Sequence, residues 1–171
     1  MKKLLLIVIA VFSLSSLMAQ SKVAHVNSQK LLDTMPSRKL AMSNLAELEK
    51  AYYGELKEME EDLQKVYKTY TEKADAMPPV ARQVEEEKIQ RKQAALQQRE
   101  QEIQQDLQNK AAAMNEPILE RVKKAVEIVS DRKKINYVIN EEATLYFKGG
   151  MDITNEVIVE LLKLDAEAMK K

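Results

Sequence analysis

The sequence predicts a mainly α chain with a small β body: a long antiparallel coiled-coil hairpin arm on a short-stranded β-barrel oligomerisation domain. Three observations carry that prediction. Residues 37–116 form a charged stretch whose only prolines are Pro78 and Pro79 and whose only glycine is Gly54. Short β-branched, apolar segments flank the stretch on both sides. Charged residues make up 32% of the chain and aromatics 5%, the balance of a solvated helical protein.

At the N-terminus, Lys2 and Lys3 precede the apolar run Leu4–Leu14, which is too short to span a bilayer as a helix. Ala19 is a small residue suited to cleavage, although Leu17 is bulkier than the usual small-residue pattern. Residues 1–19 are therefore expected to be a signal peptide, and the mature chain to be exported and soluble; the alternative is an uncleaved N-terminal anchor. The absence of cysteine excludes a lipid at the cleavage site and any disulfide. Of 27 basic and 27 acidic residues, cleavage removes only Lys2 and Lys3, leaving 25 and 27 and a net charge of −2. No basic stripe for nucleic acid results.

The elements follow in order. Lys22–Val26 alternates and is β-rich, so it reads as a strand. Asn27 and Ser28 can cap a short helix through Leu32, ended by Pro36, and Ser37 can cap the first limb. On that limb, Leu45, Leu48, Tyr52, Leu56, Met59, Leu63, Val66 and Tyr70 form a seam. From Leu56 onward the spacing alternates three and four, which is a heptad pattern. The tip falls near residues 77–80. On the second limb, Ile89, Leu96 and Ile103 repeat every seven with polar or charged residues at the intervening seam positions, so the hairpin packs one thin stripe. Limbs Ser37–Met77 and Val80–Glu116 would each reach about 55–60 Å.

Pro117 interrupts a pattern that continues through Ile118, Val122, Val126 and Val129. Proline lacks the N–H that completes a helical turn, so a hinge between arm (37–116) and body (20–36 and 117–171) is expected there. Ile135–Ile139 and Thr144–Phe147 read as two further strands, and Gly149-Gly150 turns the chain. Asp152 or Thr154 then caps a last helix with Val157, Leu161 and Leu164 on one face.

Three strands of about five residues are too few for an independently stable sheet and leave edges open. Oligomerisation through the body follows, with Val23, Val26, Ile135, Val138, Ile139, Leu145 and Phe147 as the candidate interface. The alternative is a monomer whose sheet is covered by the last helix.

With this order in view, the chain resembles the Skp/OmpH family of periplasmic chaperones. The likeness rests on Lys22-Val-Ala-His-Val-Asn27, on Ile135-Asn-Tyr-Val-Ile-Asn140 followed by Leu145-Tyr146, and on Asp152-Ile-Thr-Asn-Glu-Val-Ile158. The arms match only in length and coiled-coil character. The resemblance implies a periplasmic homotrimer whose strands join in one small barrel. Three arms would then enclose unfolded outer-membrane proteins and prevent their aggregation without ATP. Family members are often strongly basic; the slightly acidic mature chain and the uncharged tip Ala76-Met-Pro-Pro-Val80 argue against carrying over lipopolysaccharide or anionic-membrane binding.

Enzymatic chemistry finds little material. His25 is the sole histidine and lies in an expected strand, so packing accounts for it; with no cysteine and no second histidine, no transition-metal cluster is expected. Gly54, Gly149 and Gly150 are the only glycines and form no phosphate loop, so no cofactor is expected. Glu85-Glu86-Glu87 reads as a solvated face. The candidate client-binding surface on the arm is Tyr52, Tyr53, Met59, Tyr67, Tyr70 and the tip residue Met77. Seam members Tyr52, Met59 and Tyr70 can instead pack against the partner limb, whereas Tyr53 and Tyr67 fall off the seam. Methionine adapts its shape and tyrosine joins a flat apolar face to a hydroxyl, which suits loose recognition of varied chains. Arg121, Lys123 and Lys124, with Arg132, Lys133 and Lys134, are basic clusters that read as solvated surface or as weak attraction for acidic groups. The rival function is a coiled-coil tether that binds one folded partner.

Overall fold

The computed structural model describes residues 22–170; the expected signal peptide lies outside them. The described elements run β1 (Val23–Val26), α1 (Ser28–Thr34), α2 (Pro36–Lys73), α3 (Pro79–Lys133), β2 (Tyr137–Asn140), β3 (Met151–Asp152) and α4 (Thr154–Ala168), with single 3-10 turns at Ala74–Ala76 and Glu141–Ala143. The chain divides into two compact units, an arm from Ser37 to Ile118 and a body from the residues on either side of it. Among the described residues no helix is long and apolar enough to cross a membrane.

In the arm, α2 extends for 38 residues, about 57 Å. Met77 adopts an extended conformation (φ −80°, ψ 140°), as the residue before a proline must when the ring crowds its backbone. Pro79 then opens α3, where a missing N–H costs nothing. Arg82 ties the turn together: its N–H donates to the Pro78 carbonyl at 3.0 Å and its Nη2 to the Ala74 carbonyl at 2.7 Å. The apolar seam is thin, as the spacing requires. Ile89, Ile103 and Ile118 are buried, and Leu96 and the eight seam residues of α2 are half-buried.

In the body, β1 is the central strand of a three-stranded sheet ordered β2-β1-β3. Both pairings are parallel, with Val23 opposite Tyr137, His25 opposite Ile139 and also opposite Asp152. Within this chain the sheet is open rather than closed into a barrel, with β2 and β3 as its edges. Ala24 and Val26 point into the core with Leu31, Met35, Ala125, Val129, Ile153, Val157 and Leu161. α1 packs on α4. Asn27 caps α1 as expected, its side-chain oxygen accepting from the Lys30 N–H.

Several expectations are corrected. α2 begins at Pro36, so Ser37 is a helical residue rather than its cap. Pro117 lies inside α3, which continues through it as one helix. β2 begins at Tyr137 rather than Ile135. The end of α3 takes the Ile135 N–H, which bonds to the Ser130 carbonyl at 2.9 Å after Lys134 turns through a left-handed φ of 56°. Thr144–Phe147 forms no strand; the third strand is Met151–Asp152. Strand propensity reflects packing on a pleated surface more than an intrinsic backbone preference, and Leu145 and Tyr146 are exposed here. Before α4, the Asp152 carboxylate accepts the Thr154 N–H at 2.8 Å.

Candidate functional site

The arm is held by more than its apolar stripe. The polar seam positions of α3 each reach an acid or a tyrosine of α2. Asp106 accepts from the Tyr52 hydroxyl, Arg99 meets Glu55, and Lys92 meets Asp62; nearer the tip, Glu86 accepts from the Tyr70 hydroxyl. Partner numbers fall along α3 as they rise along α2, which is an antiparallel register. The Arg99 contact is bidentate (Nε–Oε1 2.7 Å, Nη2–Oε2 2.9 Å), and the guanidinium lies 5.4 Å from the Tyr52 ring centre.

These pairs set the titration behaviour of the arm. Hydrogen bonds from Arg99 hold the Glu55 carboxyl below its ordinary range, and Lys92 does the same for Asp62. The Tyr52 and Tyr70 hydroxyls are pushed up, because each donates to a carboxylate and so keeps its proton.

The six arm residues singled out in the sequence therefore separate into two groups. Tyr52, Met59, Tyr70 and Met77 are half-buried, and the two tyrosine hydroxyls are committed across the hairpin. Tyr53 is 73% exposed and Tyr67 55% exposed. They stand fourteen residues apart, four helical turns, so they share one face of α2 at a separation of about 21 Å.

The candidate interface residues also separate. Strand side chains alternate between faces, so Val23 and Ile139 lie on the outer face of the sheet with Tyr137, while Val26 and Val138 lie on the inner face. Val26 is buried in the chain's own core. Ile135 is half-buried and precedes the sheet. Leu145 and Phe147 are exposed, Phe147 tilting against the His25 ring with centroids 4.7 Å apart.

The basic clusters near the body are partly neutralised by acids of α4. Arg132 meets Glu160 at 3.0 Å, Lys133 meets Glu156 at 2.6 Å, and Arg121 meets the wholly buried Asp165 at 3.1 Å. Sequence reading placed Leu164 on the buried face and missed Asp165; Leu164 is half-buried. The only available signal was the spacing Val157, Leu161, Asp165, which steps by one helical turn. Two acids were missed beside His25, namely Glu141 and Asp152. They lie more than a hundred residues away in sequence and become neighbours only through the sheet.

The sequence profile described as Outer membrane protein (OmpH-like) matches residues 22–161. The chain is similar to the chaperone protein Skp of Photorhabdus laumondii subsp. laumondii, with 26% identity over 143 residues covering 84% of this chain and 87% of that protein. It is similar to the chaperone protein Skp of Pectobacterium atrosepticum at 25% over 147 residues, covering 86% and 89%. Its fold is shared by a Caulobacter crescentus CB15 protein described as an OmpH-like outer membrane chaperone. The TM-score is 0.74 at 19% identity, over 87% of this chain and 86% of that one.

Proposed function

Because the chain belongs to the OmpH-like family, whose members are chaperones and not enzymes, we propose that it is a periplasmic, ATP-independent holdase for unfolded outer-membrane β-barrel proteins. The single observation that carries the client-binding part is the exposed pair Tyr53 and Tyr67 on an arm whose own seam is already satisfied. Large aromatic side chains left in water on one helix face offer apolar area to a passing chain, and their hydroxyls tolerate solvent when no client is present. Many such weak contacts suit partners of varied sequence.

The working unit is a homotrimer in which clients lie between the arms. Supporting this are the two open sheet edges and the exposed apolar set Val23, Tyr137, Ile139, Leu145 and Phe147, which a second and third copy would cover. Pro117 leaves one turn of α3 without its backbone hydrogen bond, so bending concentrates there and lets the arms adapt to clients of different size.

Native mass spectrometry of the mature chain, alone and after dilution of a urea-unfolded outer-membrane barrel into it, tests the reading. A trimer that takes up one client supports it. A monomer, or a trimer that ignores unfolded barrels and captures one folded envelope protein, replaces it with a tether.

A further inference from the structure

The strongest unassigned feature of the body is a mixed nitrogen and oxygen cluster at the centre of its sheet. His25 on β1, Glu141 in the turn after β2 and Asp152 on β3 each offer one donor atom, and these atoms lie within 4.8 Å of one another. We propose that this cluster is a binding site for a borderline divalent cation of the Zn2+ class.

The donor chemistry favours such an ion. A neutral imidazole suits first-row divalent metals better than Mg2+ or Ca2+, which prefer oxygen-only sets, while two carboxylates supply the compensating charge. Three protein ligands leave positions for water. A small cavity of about 70 Å³ adjoins the ring, lined by His25, Glu141, Thr144, Phe147 and Gly149 among others, and it has room for such waters.

The donors are also oriented by neighbours, as metal ligands characteristically are. Glu141 presents Oε1 to His25 Nδ1 at 2.6 Å while its Oε2 accepts from Asn27 Nδ2 at 3.0 Å. Asp152 Oδ1 accepts the Thr154 N–H at 2.8 Å. The imidazole is flanked by Phe147 on one contact and by Gly150 on another. There a β-carbon would sit 3.4 Å from both His25 Cδ2 and the Val23 carbonyl oxygen, on a backbone with φ of 92°. Bound to all three donors at about 2.1 Å, a cation needs them about 3–3.5 Å apart. An adjustment of an ångström or so achieves this, and Asp152 lies on the exposed edge strand of the sheet. The ion would take the place of the direct contact between His25 and Glu141 and tie β1, the turn after β2 and β3 into one unit.

The test is unusually clean because His25 is the only histidine. In the untagged chain, the long-range 1H–15N spectrum of the imidazole is recorded during titration with Zn2+, and stoichiometry is measured by equilibrium dialysis. The expected result is one Zn2+ per chain, a shifted imidazole spectrum, and a thermal midpoint that rises with Zn2+ concentration. Asp152→Asn and Glu141→Gln, each checked for an unchanged circular dichroism spectrum, should each weaken binding by about tenfold or more. Mg2+ at equal concentration should not compete. An imidazole spectrum unmoved by Zn2+, or variants that bind as the parent does, would overturn the assignment.

Discussion

Arg99 closes two hydrogen bonds on the Glu55 carboxylate across the hairpin while its guanidinium lies over the Tyr52 ring, whose hydroxyl donates onward to Asp106. One cation thus joins two seam layers of a helix pair that has little apolar material to share. Polar seam positions cost stability in an ordinary coiled coil, but they fix register. In this arm the rungs Glu55–Arg99 and Asp62–Lys92 specify the antiparallel pairing, and the buried isoleucines that flank them, Ile89 and Ile103, supply most of the adhesion.

That division predicts unequal costs along the seam. Ile103 is 5% exposed, so Ile103→Ala should destabilise the arm by about 2–5 kcal/mol, the usual range for truncating a buried branched side chain to alanine. Leu96→Ala, at a half-buried layer, should cost distinctly less. Urea unfolding followed by helical circular dichroism measures both, and equal costs would contradict the layered seam.

Acid should loosen the arm. Glu55 and Asp62 titrate below their ordinary values of 4.5 and 3.8 because Arg99 and Lys92 hold their ionised forms. A carboxyl with a lower pKa in the folded state binds its proton more tightly when unfolded. Its contribution is therefore present above the unfolded pKa and disappears as pH falls through the folded one. The arm's thermal midpoint should hold from pH 7 to about pH 5 and decline below about 4.5. Glu55→Gln combined with Asp62→Asn should lower the neutral-pH midpoint and flatten the decline.

In the body, Asp165→Ala should be severe. The carboxylate has no solvent exposure and faces Arg121, so removing it takes a charge partner from a largely buried cation at a cost of about 3 kcal/mol or more. Replacing both partners, Arg121→Met with Asp165→Leu, should recover much of the loss, since a well-packed apolar pair needs no compensating charge. Chemical denaturation of the three proteins decides the point.

Tyr53→Ser with Tyr67→Ser should weaken client affinity by about tenfold or more, as expected when two exposed aromatic anchors are lost. Secondary structure and oligomeric state should not change. Fluorescence anisotropy of a labelled, urea-diluted barrel reads the affinity, and sedimentation reads the assembly. Tyr52→Phe makes the contrast: its hydroxyl faces Asp106, so it should affect arm stability and leave client affinity alone.

Much of this architecture is legible in the sequence because its signals are local. A proline pair marks the hairpin tip, a heptad marks the seam, and Asn27 marks a helix start. Legibility ends where partners are distant. Leu145-Tyr146-Phe147 has strand composition, yet within this chain it has no ladder to join, while the unremarkable pair Met151-Asp152 pairs with β1. Val23 and Val26 look equivalent in the sequence, but their odd spacing turns one outward and the other into the core. Tyr52 and Tyr70 can be read from the sequence either as seam members or as client surface, and the choice is made only when the opposing limb supplies Asp106 and Glu86. Pro117 reads as a hinge in a continuing pattern, and the long helical stretches on either side carry α3 through it as one helix.

The central claim is that this chain keeps unfolded outer-membrane barrels from aggregating. It is tested most directly by light scattering as a urea-unfolded barrel is diluted into buffer with and without the mature protein. The account predicts suppression without ATP, complete at about one trimer per client. Scattering that rises unchanged in the presence of folded, oligomeric protein would contradict it.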